Sequence, residues 1–206
     1  QYVYHQVLRN PRVKWEDNCT PYLGSHYDKK DVLDVIKEND SKIDFRDTDD
    51  ENVVDLLMEQ NIISVFGGGS ESGRRALGNR SILCDPRWFR PFAPSILRDS
   101  VGDWFEKDVD SPYMTTVIKW KDEVKDKVPA VVHLNGTARL QTVTKNDNEW
   151  YYNFIKKFED KTGVPIVLNT SFNDREPIVE TPEHAINCFL GTNIDYLYFY
   201  EAGILV

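Results

Sequence analysis

The passage from Asp49 to Gly69 constrains this chain most, because an acid-capped apolar periodicity, a β-branched run and three consecutive glycines follow one another without a spacer. Asp49 or Asp50 supplies an N-cap for ENVVDLLMEQN, whose Val53, Val54, Leu56 and Leu57 make one helical face before Asn61 closes it. The run IISVF then has the composition of a buried strand and delivers the chain into Gly67-Gly68-Gly69. Glycines after a strand let main-chain N–H groups approach an anion with no side chain in the way. Charge follows at once. From Arg74 to Arg98 there are six arginines (Arg74, Arg75, Arg80, Arg87, Arg90 and Arg98), no lysine and one acid, Asp85, in a protein whose formal net charge is -9.

The flanking sequence supplies the rest of a mixed α/β sheet covered by helices. Gln1–Leu8 alternates enough for a strand or a docking tail, and residues 10–24 are irregular, punctuated by Pro11, Pro21 and Gly24. Asp28 caps a helix reaching Asn39, and Val101–Glu106 suits a short one. Met114–Trp120 alternates like a strand. PAVVHL (Pro129–Leu134) reads as a more buried strand that breaks at Asn135-Gly136 and continues over Leu140–Val143. Asp147–Thr162 is an amphipathic helix stopped by Gly163, and VPIVLN is the strand after it. Thr181-Pro182-Glu183 opens a helix to Leu190, and Asp195–Tyr200 and Gly203–Val206 end the chain as strands.

Composition removes several function classes. A chain of 206 residues, 40% hydrophobic, buries one good-sized core. With a pI near 5.0 it lacks the broad basic face of a general nucleic-acid binder, so any polyanion it holds is small. No apolar run approaches the roughly 20 residues of a membrane span, and no signal peptide is visible. Cys19, Cys84 and Cys188 are odd in number and far apart, which favours reduced thiols and a cytoplasmic setting over a disulfide framework or a metal pair.

The arginine stretch is the best candidate for chemistry. Gly68 to Gly73 imitates the spacing of a P-loop, but Arg74-Arg75 stands where Lys and Ser or Thr are required. Guanidinium forks suit phosphate oxygens, and a solvated face would interleave lysine and acids. Two further segments, Asn135-Gly136-Thr137-Ala138-Arg139 and Asn169-Thr170-Ser171-Phe172-Asn173, place small polar groups and a guanidinium at strand ends, where α/β sheets bind ligands. Either one alone is equally ordinary turn chemistry. His5, His26, His133 and His184 have no metal-ligand spacing, and only His133 adjoins a candidate segment. No Ser, Cys or Thr has a partner that marks a nucleophile.

Together, RALGNRSIL, FRPFAPSIL, SPYM, PAVVHLNGTARLQTV, TGVPIVLNTSFN and EPIVETPEHAINCFL resemble the C-terminal domain of the carbamoyltransferases of the NodU, CmcH and TobZ type, over about Pro21–Val206. The resemblance implies a YrdC-like twisted mixed sheet flanked by helices over residues 25–206, with residues 1–24 as a tail or linker from a Kae1-like domain before Gln1. It implies that carbamoyl phosphate is cleaved and that the carbamate attacks the α-phosphate of ATP, with Mg2+, to give carbamoyl adenylate and pyrophosphate. The Kae1-like domain, which holds iron, would pass the carbamoyl group to an acceptor hydroxyl. Carried over by residue, Arg75, Arg90 and Arg139 become clamps for phosphate and carbamoyl oxygens. Ser171 becomes an adenylate contact with Asn173 as companion, and Arg80, His133, Thr137 and Asn169 line or support the site.

Three departures accompany the resemblance. Gly69 stands where the family has arginine. Between Arg87 and Trp88 the family carries a connecting segment of roughly fifteen residues ending in Lys-x-Arg-Glu, a length typical of a functional loop. It is absent here although both ends survive intact, a pattern we read as a segment omitted and not a truncated site. Third, without the Kae1-like domain this chain alone does not complete carbamoyl transfer. The alternatives are a threonylcarbamoyl-adenylate synthase, which would need threonine and bicarbonate, and a nucleotide-binding module without turnover, the outcome of a true loss of the lysine segment.

Overall fold

Alternation along one strand, β2 (Ile63–Phe66), assigns the layers: Ile63 and Val65 join one apolar cluster while Phe66 joins the other. The structure is a computed structural model describing residues 7–9, 20–88 and 92–206. The strand or tail expected over Gln1–Leu8, apart from Val7 and Leu8, lies outside the described residues, as do Cys19 and Arg90. In chain order the elements are α1 (Lys29–Glu38), β1 (Arg46–Asp47), α2 (Asp50–Met58), β2, β3 (Arg80–Cys84), β4 (Ala93–Leu97) and α3 (Val101–Trp104). They continue with β5 (Thr116–Lys119), β6 (Thr137–Val143), α4 (Glu149–Thr162), β7 (Ile166–Ser171), α5 (Pro182–Leu190), β8 (Tyr196–Phe199) and β9 (Ile204–Leu205).

Among the described residues the strands form one mixed sheet in the order β1-β9-β8-β2-β3-β7-β4-β6-β5, not closed into a barrel. Only β2–β8 and β4–β6 are parallel pairs; the other neighbours run antiparallel. Helices α2 and α4 cover one face, where Val53, Leu57, Tyr151, Phe154 and Phe158 pack on Ile63, Val65, Leu83 and Val167. Helices α1 and α5 cover part of the other, with Val32, Ile36, Ala185 and Ile186 against Phe66, Leu197 and Phe199. Phe154 and Phe158 of α4, fully buried, each contribute on the order of 1.5–3 kcal/mol by leaving water.

The helix signals hold at residue level. The Asp28 carboxylate accepts from Asp31 N in a reciprocal capping box, Asp49 accepts from Asn52 N, Asn148 from Tyr151 N and Thr181 from His184 N. Gly163 ends α4 at φ 72°. No described helix is long and apolar enough to cross a membrane.

One expectation is corrected, and two strands appear where the sequence reading assigned no element. PAVVHL is no strand: Pro129–Val131 makes a 3₁₀ turn, whose Ala130 N donates to Pro86 O (3.0 Å) and whose Ala130 O accepts from Phe92 N (3.0 Å). Proline brings no N–H to a ladder, and as a connection this run buries only Ala130 and Val131, leaving Leu134 fully exposed. Conversely, RSILC and APSIL, embedded in the arginine stretch, are the central strands β3 and β4. Pro94 is tolerated inside the sheet because pairing with β6 begins only at Ser95.

This topology gathers the end of β2, the starts of β3, β4 and β6 and the end of β7 at one edge of the sheet: Phe66 pairs with Arg80, Ser81 with Ser171 and Ala93 with Asn169. The β2–β3 connection sits there on α4. Its Gly78 has φ 120°, and a Cβ at that position would lie 2.4 Å from Tyr151 Cδ1, whereas Gly73, at φ 140°, has open space around it. We predict that Gly78→Ala costs about 3 kcal/mol or more, strain plus overpacking, while Gly73→Ala costs strain alone, about 1 kcal/mol. Paired urea denaturation curves check the difference.

Candidate functional site

Residues 67–79 close on themselves before they offer anything to a ligand. The guanidinium of Arg80, fully buried, donates from Nη1 to Gly67 O (2.6 Å) and Asn79 O (2.9 Å) and from Nη2 to Gly68 O (3.1 Å), with its Cζ 3.7 Å from the Phe66 ring centroid. Burial pulls its pKa below the ordinary arginine value, against the opposing charge of Glu71. Glu71, also buried, accepts at Oε1 from Leu77 N (2.8 Å), Asn79 N (2.8 Å) and Arg80 N (3.2 Å). Gly68 N donates to Glu201 (2.9 Å) and Gly67 N to Asn79 O (3.3 Å). The expectation that glycine amides face an anion is therefore corrected at these positions: their N–H groups are spent inside the protein.

Side chains remain. Arg87 is held on the buried Asp85, with Nε 2.9 and 3.0 Å from its two oxygens, and Arg98 pairs with Asp108 (2.6 Å) and Asp110 (3.4 Å). Arg74, exposed, and Arg75, half-buried, pair with no carboxylate among the described residues, and neither does Arg139 near the start of β6. These three guanidinium groups line one cleft of about 330 Å³, with His133, Asn169, Thr170 and Ser171 and the apolar Ala76, Met114 and Val117. Burial, then the charges of Arg75 and Arg74, holds the Arg139 pKa below its ordinary value, and its Nε is buried without a hydrogen-bond partner. Three cations converging on one cleft repel one another, and an anion between them relieves that cost.

The cleft's floor is braced. Asn169 Nδ2, at the end of β7, lies within hydrogen-bond distance of Ala76 O (3.2 Å), Ser95 Oγ (3.0 Å) and Gln141 Oε1 (3.0 Å), while Gln141 Nε2 donates to Leu77 O (3.0 Å). Tyr22 Oη donates to the same Leu77 carbonyl (2.9 Å). The stretch 20–25 thus packs across the loop, and a Cβ on Gly69 would fall 2.8 Å from Tyr22 O and 3.0 Å from Gly24 O.

Of the residues expected at the site, Arg75, Arg139, His133, Asn169 and Ser171 line this cleft. Asn173 lies in an adjoining cleft of about 460 Å³ that shares Arg74 and Ser171. Thr137, the first residue of β6, is absorbed by the turn that precedes it, its hydroxyl donating to Asn135 Oδ1 (2.7 Å) and facing His133 Nδ1 (3.2 Å). Arg80 supports the loop from behind. Arg90 is outside the described residues. Sequence reasoning passed over Arg74, although it belonged to the arginine run, and Met114, whose positive φ of 54° no pattern announces. Burial pushes the Cys84 thiol up to about 12, which argues against a nucleophile there. No group of three or more His, Cys, Asp or Glu among the described residues is arranged to hold a metal.

A family model described as carbamoyltransferase C-terminus matches residues 54–88 and 87–204, broken in two at the Arg87-Trp88 join. The chain is 39% identical over 209 aligned positions to an uncharacterized protein of Methanocaldococcus jannaschii, covering 90% of this chain and 34% of that protein. It is 38% identical over 177 positions to nodulation protein NolO of Bradyrhizobium diazoefficiens (75% of this chain, 32% of that one) and 42% over 156 to nodulation protein NolNO of Sinorhizobium fredii (66% and 23%). The chain therefore spans about a third or less of the length of these three relatives.

The geometry separates two arginines that sequence alone groups together. Arg80→Met removes three buried charge-assisted bonds and is expected to destabilise the protein by about 3 kcal/mol or more. Arg139→Ala is expected to leave stability within about 1 kcal/mol while abolishing pyrophosphate binding. Thermal denaturation beside titration calorimetry with pyrophosphate distinguishes the two.

Proposed function

Because the chain belongs to the carbamoyltransferase C-terminus family, we propose that its arginine cleft forms carbamoyl adenylate from carbamoyl phosphate and ATP. The observation that carries this reading is the convergence of Arg74, Arg75 and Arg139 on one cleft with no carboxylate among the described residues to neutralise them. Such a reaction asks little covalent chemistry of the protein and much fixed positive charge. Water cleaves carbamoyl phosphate to carbamate and inorganic phosphate. A carbamate oxygen then bonds to the α-phosphorus of ATP as the bond to the β-phosphate bridge breaks, and pyrophosphate leaves with that electron pair. Preorganised guanidinium groups lower the barrier by receiving the charge that moves onto the leaving oxygens.

In this reading Arg75 and Arg139 grip phosphoryl and carbamoyl oxygens, with Arg90 as a third clamp, and Mg2+ accompanies ATP as part of the substrate. Ser171, shared by the two adjoining clefts, holds the adenylate as it forms, and Asn173 borders the second of them. Delivery of the carbamoyl group to an acceptor hydroxyl belongs to a Kae1-like, iron-holding domain of a longer chain, in keeping with relatives about three times the length of the match.

The purified protein is expected to release pyrophosphate from ATP and Mg2+ only when carbamoyl phosphate is added, measured by a coupled pyrophosphate assay. ATP binding without release under these conditions refutes adenylate formation and leaves a binding module. Release that depends on threonine and bicarbonate transfers the assignment to threonylcarbamoyl-adenylate synthesis.

A further inference from the structure

Glu71 is a carboxylate in an unexpected place: buried, three residues before Arg74 of the cation cleft, on the very loop that carries Arg74 and Arg75. No basic side chain forms an ion pair with it among the described residues, and its partners are main-chain amides. Oε1 takes the N–H groups of Leu77, Asn79 and Arg80, while Oε2 is buried with no hydrogen-bond partner. Burial raises its pKa and the amides oppose that rise. A buried charge is expensive to keep unless it organises something.

What it organises lies between its two ends. The chain leaves Glu71, runs out through Ser72, Gly73, Arg74 and Arg75, and returns at Ala76 and Leu77, so the bonds from Oε1 to residues 77–80 close a ring whose tip is the arginine pair. Tyr22 Oη and Gln141 Nε2 fix the Leu77 carbonyl on the returning side, and Asn169 Nδ2 fits the Ala76 carbonyl. Nearer the strands, Arg80 and Asn79 tie residues 67–69 to the returning side, and Asn79 Nδ2 donates to Gly69 O (2.8 Å); beyond Gly69, Glu71 ties the outgoing side to the returning amides of Leu77, Asn79 and Arg80. We infer that Glu71 is a positioning residue, which sets Arg74 and Arg75 in the cleft by closing this ring. The inference rests on the anion-binding reading of the cleft.

The sign of the effect makes it testable. As a charge, Glu71 opposes an anion in the cleft, so removing that charge alone would tighten binding. As a positioning group it favours the anion, so its removal weakens binding. Titration calorimetry with inorganic pyrophosphate, well below the melting temperature of each variant, compares the protein with Glu71→Gln and with Glu71→Asp, which keeps the charge but draws it back from the amides. Both variants are expected to bind at least tenfold more weakly, with hydrogen exchange accelerated at the Leu77, Asn79 and Arg80 amides and unchanged at Val167. Unchanged or tighter binding by Glu71→Gln overturns the role even if its melting temperature falls; if that variant does not fold, unchanged binding by Glu71→Asp overturns it. A parent protein that does not bind pyrophosphate refutes the cleft reading itself, whereas a parent that binds beside unaffected variants refutes only Glu71.

Discussion

The guanidinium of Arg80 holds the functional edge of this molecule together. Its Nη atoms bond the carbonyls of Gly67 and Gly68, which follow β2, and of Asn79, which precedes β3, so one side chain welds the two ends of a thirteen-residue excursion between paired strands. The carbonyls would otherwise be pulled from water with nothing to replace it, and their loss is what makes an orphaned buried polar group costly. A lysine could neither reach them in a fork nor lie flat on Phe66 as Arg80 does. Everything beyond, from the amides on Glu71 to the arginines at the tip, presumes that closure.

Around the weld, the protein divides its positive charge by task. Arg80 is structural, Arg87 is neutralised by Asp85, and Arg98 is shared by Asp108 and Asp110. Arg74 and Arg75 keep their charge for the cleft, where Arg139 joins them from the far side of β4. A net charge of -9 on the chain as a whole disfavours indiscriminate binding of polyanions, while a few unspent guanidinium groups at a strand edge admit a small one.

Local signals carried much of this into the sequence, and non-local ones did not. Caps at Asp28, Asp49 and Thr181 and the apolar face of α4 are decided by neighbours three or four residues away, which a linear string displays. NGTAR and NTSFN were legible as strand-edge segments because glycine and asparagine punctuate them. The strands RSILC and APSIL were not, since arginine and proline mask a β pattern that becomes favourable only between β2, β7 and β6. PAVVHL failed for the opposite reason: the burial of Ala130 and Val131 is met by a 3₁₀ turn and does not require a ladder, and Leu134 is exposed. The different fates of Arg75 and Arg80 depend on a loop closing over thirteen residues, which no spacing rule contains.

Gly69 carries a consequence for how this edge can change. Because the carbonyls of Tyr22 and Gly24 occupy the room that a side chain would need, residues 22–24 and position 69 are a lock and its key rather than two independent sites. A side chain at this point would require the main chain at Tyr22 or Gly24 to move, on the same stretch whose Tyr22 hydroxyl bonds the Leu77 carbonyl and steadies the returning side of the loop. A change at position 69 is therefore felt first at the Tyr22 and Gly24 carbonyls and, through Tyr22, at the returning side of the loop.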